Sequence, residues 1–277
     1  MDGKTNKTRI VVKVGTSTLT REGGALNLRS FDALARVLSD IHNLGNEVIL
    51  VSSGAIAVGA HKMLMKERPT ELRLKQAAAA VGQCELMHLY DKFFGDYGKT
   101  VAQILLTGDD VGNPEIKENL VNTFNALLEL GIIPIVNEND SVSFAEIEMQ
   151  KEEHKVFGDN DTLSAVVAVL CGADKLVLLS DIDGLYDENP NENPDARLIR
   201  EVRVINDEIR ALAGGAGSSR GTGGMITKLQ AAELATENGI DMIIANGELP
   251  DILYDIVEDN PAGTLFVGKR GGAYDRA

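Results

Sequence analysis

Two lysines stand beside glycines and hydroxyl residues that would let an anion approach the backbone. Lys13 is followed by residues 15–17 (GTS) at the end of a β-branched run. Lys228 comes after a glycine-rich stretch, residues 214–224, that leads directly into a predicted helix. Glycine permits close approach to backbone N–H groups, and the first turn of a helix adds partial positive charge. The two lysines therefore indicate phosphate binding, with a plain flexible linker as the alternative for the glycine-rich stretch.

Small and polar residues also follow three further predicted strands. They are Ser53 with Gly54, residues 137–140 (NEND), and Ser180 with Asp181. In open α/β sheets, ligands bind outside the carboxyl ends of the strands, so four such ends favour an anion site at one edge. For any one of these loops alone, an ordinary turn is the simpler explanation.

Two aspartates, Asp159 and Asp161, come just before an apolar stretch that predicts a helix over residues 162–171. One interpretation is that either carboxylate caps the beginning of this helix, a common role for aspartate. The other is that a carboxylate here positions the lysines or holds magnesium. Both interpretations stay open, and they are compatible with each other.

The motifs of several better-known enzyme classes are missing. The chain has no Gly-x-x-x-x-Gly-Lys-[Ser/Thr] and no Gly-x-Gly-x-x-Gly after its first predicted strand. Protein-kinase signatures are also missing, and Ser53 does not lie in the Gly-x-Ser-x-Gly motif of hydrolases. Residues 181–184 (DIDG) differ from a calcium loop, which carries its glycine at position six and follows a helix. The four histidines, His42, His61, His88 and His154, have no ligand or triad spacing.

An alternation of strands and helices must position the candidate residues. β-Branched runs predict strands at residues 9–14, 47–51, 100–106, 132–136, 175–179, 241–245 and 264–267. Apolar residues at helical spacing predict helices at about 31–41, 75–94, 117–130, 162–171 and 226–238, with Gly45 ending the first. This order is typical of parallel strands joined by crossover helices. We therefore predict an α/β fold, a three-layer αβα sandwich with a mostly parallel central sheet.

We predict one domain over residues 1–269, followed by a tail at 270–277. Within it, a single continuous sheet would have an N-terminal lobe of about 1–172 and a C-terminal lobe of about 173–269. Residues 143–157 are highly charged with weak alternation, which predicts a surface hairpin or flap.

The composition restricts the partners of the chain. Among 277 residues, 27 are Lys or Arg and 42 are Asp or Glu, so the formal charge is 27 − 42 = −15. Nucleic acid is therefore not an expected partner, and an anionic ligand would need a few well-placed cations. No apolar run approaches the ~20 residues that cross a bilayer, so we expect a cytoplasmic protein without membrane contact. Cys84 and Cys171 are isolated and predicted to be small apolar fillers.

Six stretches together resemble the amino acid kinase family, over nearly the whole chain. In chain order they are residues 13–17 (KVGTS), 52–56 (SSGAI), 137–140 (NEND), 158–164 (GDNDTLS), 180–186 (SDIDGLY) and 221–228 (GTGGMITK). The resemblance is to the branch that phosphorylates the side-chain carboxylate of free L-glutamate. Residues 137–140 and 221–225 separate this branch from sisters that act on acetylglutamate, aspartate, carbamate or uridine monophosphate.

The resemblance implies a role for individual residues. Lys13 would contact the ATP phosphates, Lys228 would approach the transferred phosphoryl group, and Asp161 would hold both lysines in place. The positions matched to glutamate binding are Ser53, Asp140 and Asn160, with Asp140 suited to the ammonium group. The positions matched to ATP binding are Lys13, Ser180, Asp181, Thr222, Gly223, Gly224, Met225, Ile226, Thr227 and Lys228. Tyr186 is expected near the nucleotide.

The resemblance also implies ATP and Mg²⁺ as cofactors, a place at the first step from glutamate to proline, feedback inhibition by L-proline and a homo-oligomer. Many bacterial members carry a C-terminal PUA domain, which resembles RNA-binding modules. We expect no counterpart here, because few residues follow the predicted strand at 264–267.

Two alternatives remain at this stage. A sister kinase would use the same lysines on another carboxylate or phosphate acceptor. A non-catalytic amino-acid sensor would keep the fold and bind glutamate or proline, although it would be free to lose Lys13, Lys228 and Asp161.

Overall fold

One sheet of eight strands forms the centre of the protein. The computed structural model describes residues 7–142, 159–190, 192–213 and 224–270. The strands are β1 (Arg9–Val14), β2 (Glu47–Ser52), β3 (Val101–Leu106), β4 (Ile133–Glu138), β5 (Lys175–Ser180), β6 (Glu201–Val202), β7 (Asp241–Asn246) and β8 (Thr264–Phe266). Their order in the sheet is β3-β4-β2-β1-β5-β7-β8-β6. All neighbouring strands are parallel except β7 and β8. The predicted mostly parallel sheet is confirmed.

Helices cover both faces of this sheet. They are α1 (Thr16–Leu19), α2 (Leu28–Asn43), α3 (Ala55–Lys62), α4 (Leu72–Asp96), α5 (Gly108–Gly112), α6 (Pro114–Glu129), α7 (Asn160–Cys171), α8 (Asp207–Ala213), α9 (Met225–Glu237) and α10 (Ile252–Val257). A 3₁₀ turn spans Glu22–Gly24. Helices α2, α3, α4 and α10 pack on one face, while α6, α7, α8 and α9 pack on the other. The three-layer αβα sandwich is therefore also confirmed.

The side chains of β1 divide between two hydrophobic cores. Ile10, Val12 and Val14 join the core beneath α2, α3, α4 and α10, whereas Val11 joins the core beneath α6 to α9. Successive side chains of a strand point to opposite faces, so Lys13 projects on the same face as Val11. That is the face covered by α7 and α9. The strand therefore directs Lys13 towards the two helices that carry Asp161 and Lys228.

Most predicted strands and long helices agree with the structure to within about three residues. Gly45, with φ 95°, follows the end of α2 as predicted. The sequence did not predict the short helices α1, α3, α5, α8 and α10 or the two-residue strand β6. Cys171 is buried, but Cys84 is exposed, so its prediction as an apolar filler is wrong. The predicted hairpin at 143–157 lies outside the described residues. Among the described residues, no helix is long and apolar enough to cross a membrane.

Helices α3 and α4 touch through their backbones at two glycines. A Cβ atom added to Gly59 would lie 1.8 Å from the carbonyl oxygen of Ala78, and one added to Gly82 would lie 1.8 Å from that of Ala55. A side chain at either position would push the helices apart. This contact fixes α3 against the N-terminal half of α4, and the beginnings of both helices line the pocket described below.

We expect the substitution Gly59→Ala to lower the free energy of unfolding by about 3 kcal/mol, because its methyl group meets backbone and not a movable side chain. Urea unfolding followed by circular dichroism measures this change. Gly95→Ala is the matched control, since Gly95 lies in α4 with open space around its Cβ position. That control should be neutral or stabilising by up to ~1 kcal/mol. Equal effects of the two substitutions would contradict the backbone contact.

Candidate active site

The carboxyl ends of four adjacent parallel strands form one edge of the sheet. Strands β4, β2, β1 and β5 are neighbours in that order, so their last residues lie side by side. Strands β4 and β5 end at Glu138 and Ser180, and strands β2 and β1 lead into Ser53 and Gly15. The four polar loops predicted from the sequence are therefore together at one edge, where α/β sheets bind ligands.

A carboxylate between two lysines lies at the centre of this edge. Nζ of Lys13 is 2.6 Å from Oδ1 of Asp161, and Nζ of Lys228 donates to Oδ2 of Asp161 at 3.0 Å. The hydroxyl of Thr227 also donates to Oδ2, at 3.2 Å. Asp161 is 1% exposed and Lys228 is 7% exposed. The cluster carries two positive charges against one negative charge, so it has a net charge of +1 available to attract an anion.

The lysines decide the charge state of Asp161. Burial alone would raise its pKa, but the charges of Lys13 and Lys228 and their hydrogen bonds outweigh burial, so the pKa of Asp161 lies below its ordinary value. The carboxylate is therefore ionised at neutral pH. It keeps the two ammonium groups close together despite their mutual repulsion.

Three successive residues at the beginning of α7 have three different partners. Oδ1 of Asp159 accepts from the N–H of Thr162 and caps the helix. Nδ2 of Asn160 donates to Oγ of Ser53 at 2.8 Å. Asp161 joins the lysines. Both interpretations of the aspartates, the cap and the partner of the lysines, therefore hold, one for each residue.

A pocket of about 420 Å³ opens beside the lysine cluster. It is lined by Thr16, residues 53–57, Arg68, Pro69, Thr70, Leu72, Lys75, Gln76, Asn137, Glu138, Asp140, Asp159 and Asn160. Thr16 follows β1, and Asn160 precedes Asp161, so these two residues connect the pocket to the cluster. The three residues predicted to bind glutamate, Ser53, Asp140 and Asn160, all line this pocket.

The surroundings of Asp140 in the pocket shift its pKa strongly. Burial and the negative charge of Glu138 raise the pKa of Asp140 to about 7, and the positive charge of Arg68 opposes part of that rise. A buried carboxylate without a bound cation favours the protonated form. A ligand with an ammonium group would stabilise the ionised form instead.

The sequence profile described as the amino acid kinase family matches residues 8–246. The chain belongs to the amino acid kinase family. The glutamate 5-kinase of Clostridium perfringens is 59% identical over 263 residues, which cover 95% of this chain and 96% of that protein. The glutamate 5-kinase of Listeria innocua is 54% identical over 96% of this chain and 95% of its own length. A solved UMP kinase from Bacillus anthracis shares the fold, with a TM-score of 0.63, 18% identity and coverage of 95% and 97% of the two chains.

The described residues that were predicted to bind ATP belong to β1, the end of β5 and the beginning of α9. Gly224 precedes α9, and Met225, Ile226, Thr227 and Lys228 form its first turn. The hydroxyl of Ser180 donates to Oδ1 of Asp181 at 3.1 Å, and Tyr186 donates to Oδ2 of Asp183 at 3.0 Å. Thr222 and Gly223 lie outside the described residues. The assignment of each of these residues to ATP binding stays a prediction.

Sequence reasoning missed three residues that help to build the pocket. Asn137 is 2% exposed; its Oδ1 accepts from Asn160 at 3.0 Å, and its Nδ2 donates to Gln83 at 2.9 Å. Arg68 and Lys75 also line the pocket. Asn137 belongs to the motif at residues 137–140, and its place in that motif could have identified it as a pocket residue. The two basic residues belong to a loop and a helix with no motif.

Proposed function

We propose that this chain transfers the γ-phosphoryl group of ATP to the γ-carboxylate of L-glutamate, producing ADP and γ-glutamyl phosphate in the first step of proline biosynthesis. The observation that carries the proposal is the pocket beside the cluster of Lys13, Asp161 and Lys228, in a chain similar over almost its whole length to glutamate 5-kinases. The pocket offers carboxylates for an ammonium group, and the cluster offers positive charge for two anions that must react.

The chemistry needs no general base. A glutamate side chain has an unperturbed pKa of ~4.3, so its carboxylate is already ionised at neutral pH. One carboxylate oxygen attacks the γ-phosphorus, the bond to the β,γ-bridging oxygen breaks, and ADP leaves with that electron pair. Catalysis then consists of aligning the two anions and stabilising the charge on the transferred group. Lys13 and Lys228 supply positive charge for this purpose, and Asp161 holds them in position.

We assign Mg²⁺ to the phosphates of bound ATP and not to a protein cluster. Both oxygens of Asp161 already face ammonium groups, and the described residues contain no group of three or more candidate metal ligands. The side chains at this position therefore do not fit a metal ion bound directly by the protein. No step of the proposed reaction depends on such a metal site.

Three further features of the proposal are still predictions. The N-terminal lobe, to about residue 172, would bind glutamate, and the C-terminal lobe, from about residue 173 to 269, would bind ATP. L-Proline would inhibit by competing in the glutamate pocket. The chain would assemble as a homo-oligomer in the cytoplasm.

Release of ADP in a coupled assay tests the proposed function. We expect turnover with L-glutamate and much slower turnover with aspartate, N-acetylglutamate or uridine monophosphate. A preference for one of the other acceptors would identify a sister kinase instead. No ADP release above background with any acceptor would favour a non-catalytic sensor.

We expect the glutamate KM to depend on pH through Asp140. Because its pKa lies at about 7, the fraction of ionised Asp140 rises as the pH rises from 6 to 8. Only the ionised form attracts the ammonium group, so the glutamate KM should fall by about tenfold over that range, while the ATP KM stays nearly constant. Initial rates at saturating ATP measure this dependence.

The variant Asp140→Asn is the control for that prediction. Its glutamate KM should rise about 100-fold, as expected for the loss of one partner of a buried charge pair, and should no longer change between pH 6 and 8. The KM for glutarate, which lacks the amino group, should change little in this variant. Equal losses for glutamate and glutarate, or an equal rise in the ATP KM, would remove Asp140 from ammonium binding.

A further inference from the structure

The charged side chains that line the pocket come from two groups of elements, which we call its two walls. Glu138 and Asp140, at and after the end of β4, and Asp159, before α7, supply carboxylates. Arg68, in the loop before α4, and Lys75, at the end of the first turn of α4, supply two cations. Lys75 is half-buried and Arg68 is exposed at the pocket. A purely cationic ligand would pair with the carboxylates alone, whereas a ligand with both charges would use both walls.

The two walls are close enough to influence each other electrostatically. The charge of Arg68 opposes the rise in the pKa of Asp140 caused by burial and by Glu138. Arg68 and Asp140 therefore act on the same end of the pocket. A ligand group next to Asp140 would also experience the positive charge of the α4 wall.

Glutamate carries its ammonium group and its α-carboxylate on the same carbon atom. If the γ-carboxylate points to the Lys13 and Lys228 cluster and the ammonium group meets Asp140, the α-carboxylate must lie beside Asp140. Three pocket carboxylates would repel it there unless a cation lies next to it. Arg68 and Lys75 are the two basic residues among those that line the described pocket.

We propose that Arg68 and Lys75 bind the α-carboxylate of the substrate and thereby select α-amino acids over simple ω-amino acids. This inference rests on the proposed function, because it places glutamate in the pocket with its γ-carboxylate at the lysine cluster. The guanidinium group of Arg68 and the ammonium group of Lys75 can each make charge-assisted hydrogen bonds with a carboxylate. Asp140 would then bind the ammonium group of glutamate, and Arg68 and Lys75 would bind its α-carboxylate.

The compound 4-aminobutyrate tests this assignment, because it is glutamate without the α-carboxylate. We would measure kcat/KM for glutamate and for 4-aminobutyrate, at high enzyme concentration for the slower substrate, in the native protein and in the variants Arg68→Met and Lys75→Met. The native protein should strongly prefer glutamate. In at least one of the two variants, the ratio of the two kcat/KM values should fall by about 10- to 100-fold, because glutamate loses a charged hydrogen bond that 4-aminobutyrate never makes.

Arg73→Met is the matched control. Arg73 also lies in the first turn of α4, but its side chain is 77% exposed, pairs with Glu71 and does not line the pocket. This variant should keep the native preference. The proposal is overturned if the ratio is unchanged in both pocket variants, or if the native protein uses 4-aminobutyrate as well as glutamate. Absence of turnover with glutamate in the native protein would instead reject the proposed function itself.

Discussion

Replacing Lys228 by methionine should lower kcat for glutamate phosphorylation by about 10²- to 10³-fold, with a smaller change in the glutamate KM. Methionine retains much of the apolar stem but removes the charge of a side chain that is 7% exposed and donates to Asp161 at 3.0 Å. If Lys228 stabilises the phosphoryl group mainly in the transition state, its loss appears in kcat, as for other preorganised charge-stabilising donors. Steady-state ADP release at saturating ATP and glutamate measures the change.

Two companion variants make the result specific. Lys13→Met should also lower turnover strongly and, in addition, raise the ATP KM, because Lys13 is assigned to the ATP phosphates. Lys269→Met removes an exposed lysine that lies 3.8 Å from Glu237, and it should leave kcat unchanged. Thermal unfolding would verify that each variant is folded. Near-normal turnover in folded Lys13 and Lys228 variants would remove both lysines from the reaction.

The polar residues at the carboxyl ends of the strands could be predicted because each strand and the loop after it are recognisable from a short stretch of sequence. Buried parallel strands such as β1 and β5 are runs of β-branched and aliphatic residues, and each ends abruptly at glycine, serine or aspartate. The chemistry of the edge follows from the parallel order of the strands. Lys13, Asp161 and Lys228 meet because the side chain of Lys13 projects from β1 onto the face of the sheet that α7 and α9 cover.

The parts that were missed depend on contacts between distant residues. Helix α3 contains small residues and a glycine, and it packs on α4 through the backbone contact at Gly59. The local sequence of α3 does not predict that contact. The wall formed by Arg68 and Lys75 was missed for the same reason, since their common pocket exists only after α3 and α4 are packed on the sheet. Cys84 is exposed because of its position on α4, which its residue type does not reveal.

The ambiguity of Asp159 and Asp161 has a geometric origin. Asp159 is the extended N-cap residue that precedes α7, whereas Asn160 and Asp161 are its first two helical residues and are about 100° apart around the helix axis, so the three side chains face different directions. Sequence alone indicates that aspartates suit this position. It does not indicate which direction leads to the helix backbone and which leads to the lysines.

Replacing Asp161 by asparagine should lower the free energy of unfolding at pH 7 by about 3 to 5 kcal/mol and also reduce turnover. The substitution leaves two ammonium groups near each other without the carboxylate that separates them, and the loss of one partner from a buried ion pair is strongly destabilising. Because the pKa of Asp161 lies below its unfolded value of 3.8, its stabilisation is present above that value and is lost as the pH falls through the lower, folded value. The difference between native protein and variant should therefore be constant near neutral pH and shrink in strong acid.

Urea unfolding of native protein and variants at pH 7 measures this effect, and the exposed pair of Arg36 and Asp251, at 2.9 Å, supplies the control. Asp251→Asn should cost no more than about 1 kcal/mol, as is usual for solvent-exposed ion pairs. Adding Lys228→Met to Asp161→Asn should restore part of the lost stability, because one of the two repelling charges is removed. A loss in Asp161→Asn no larger than that in Asp251→Asn, or no recovery in the double variant, would mean that Asp161 does not hold the lysines together.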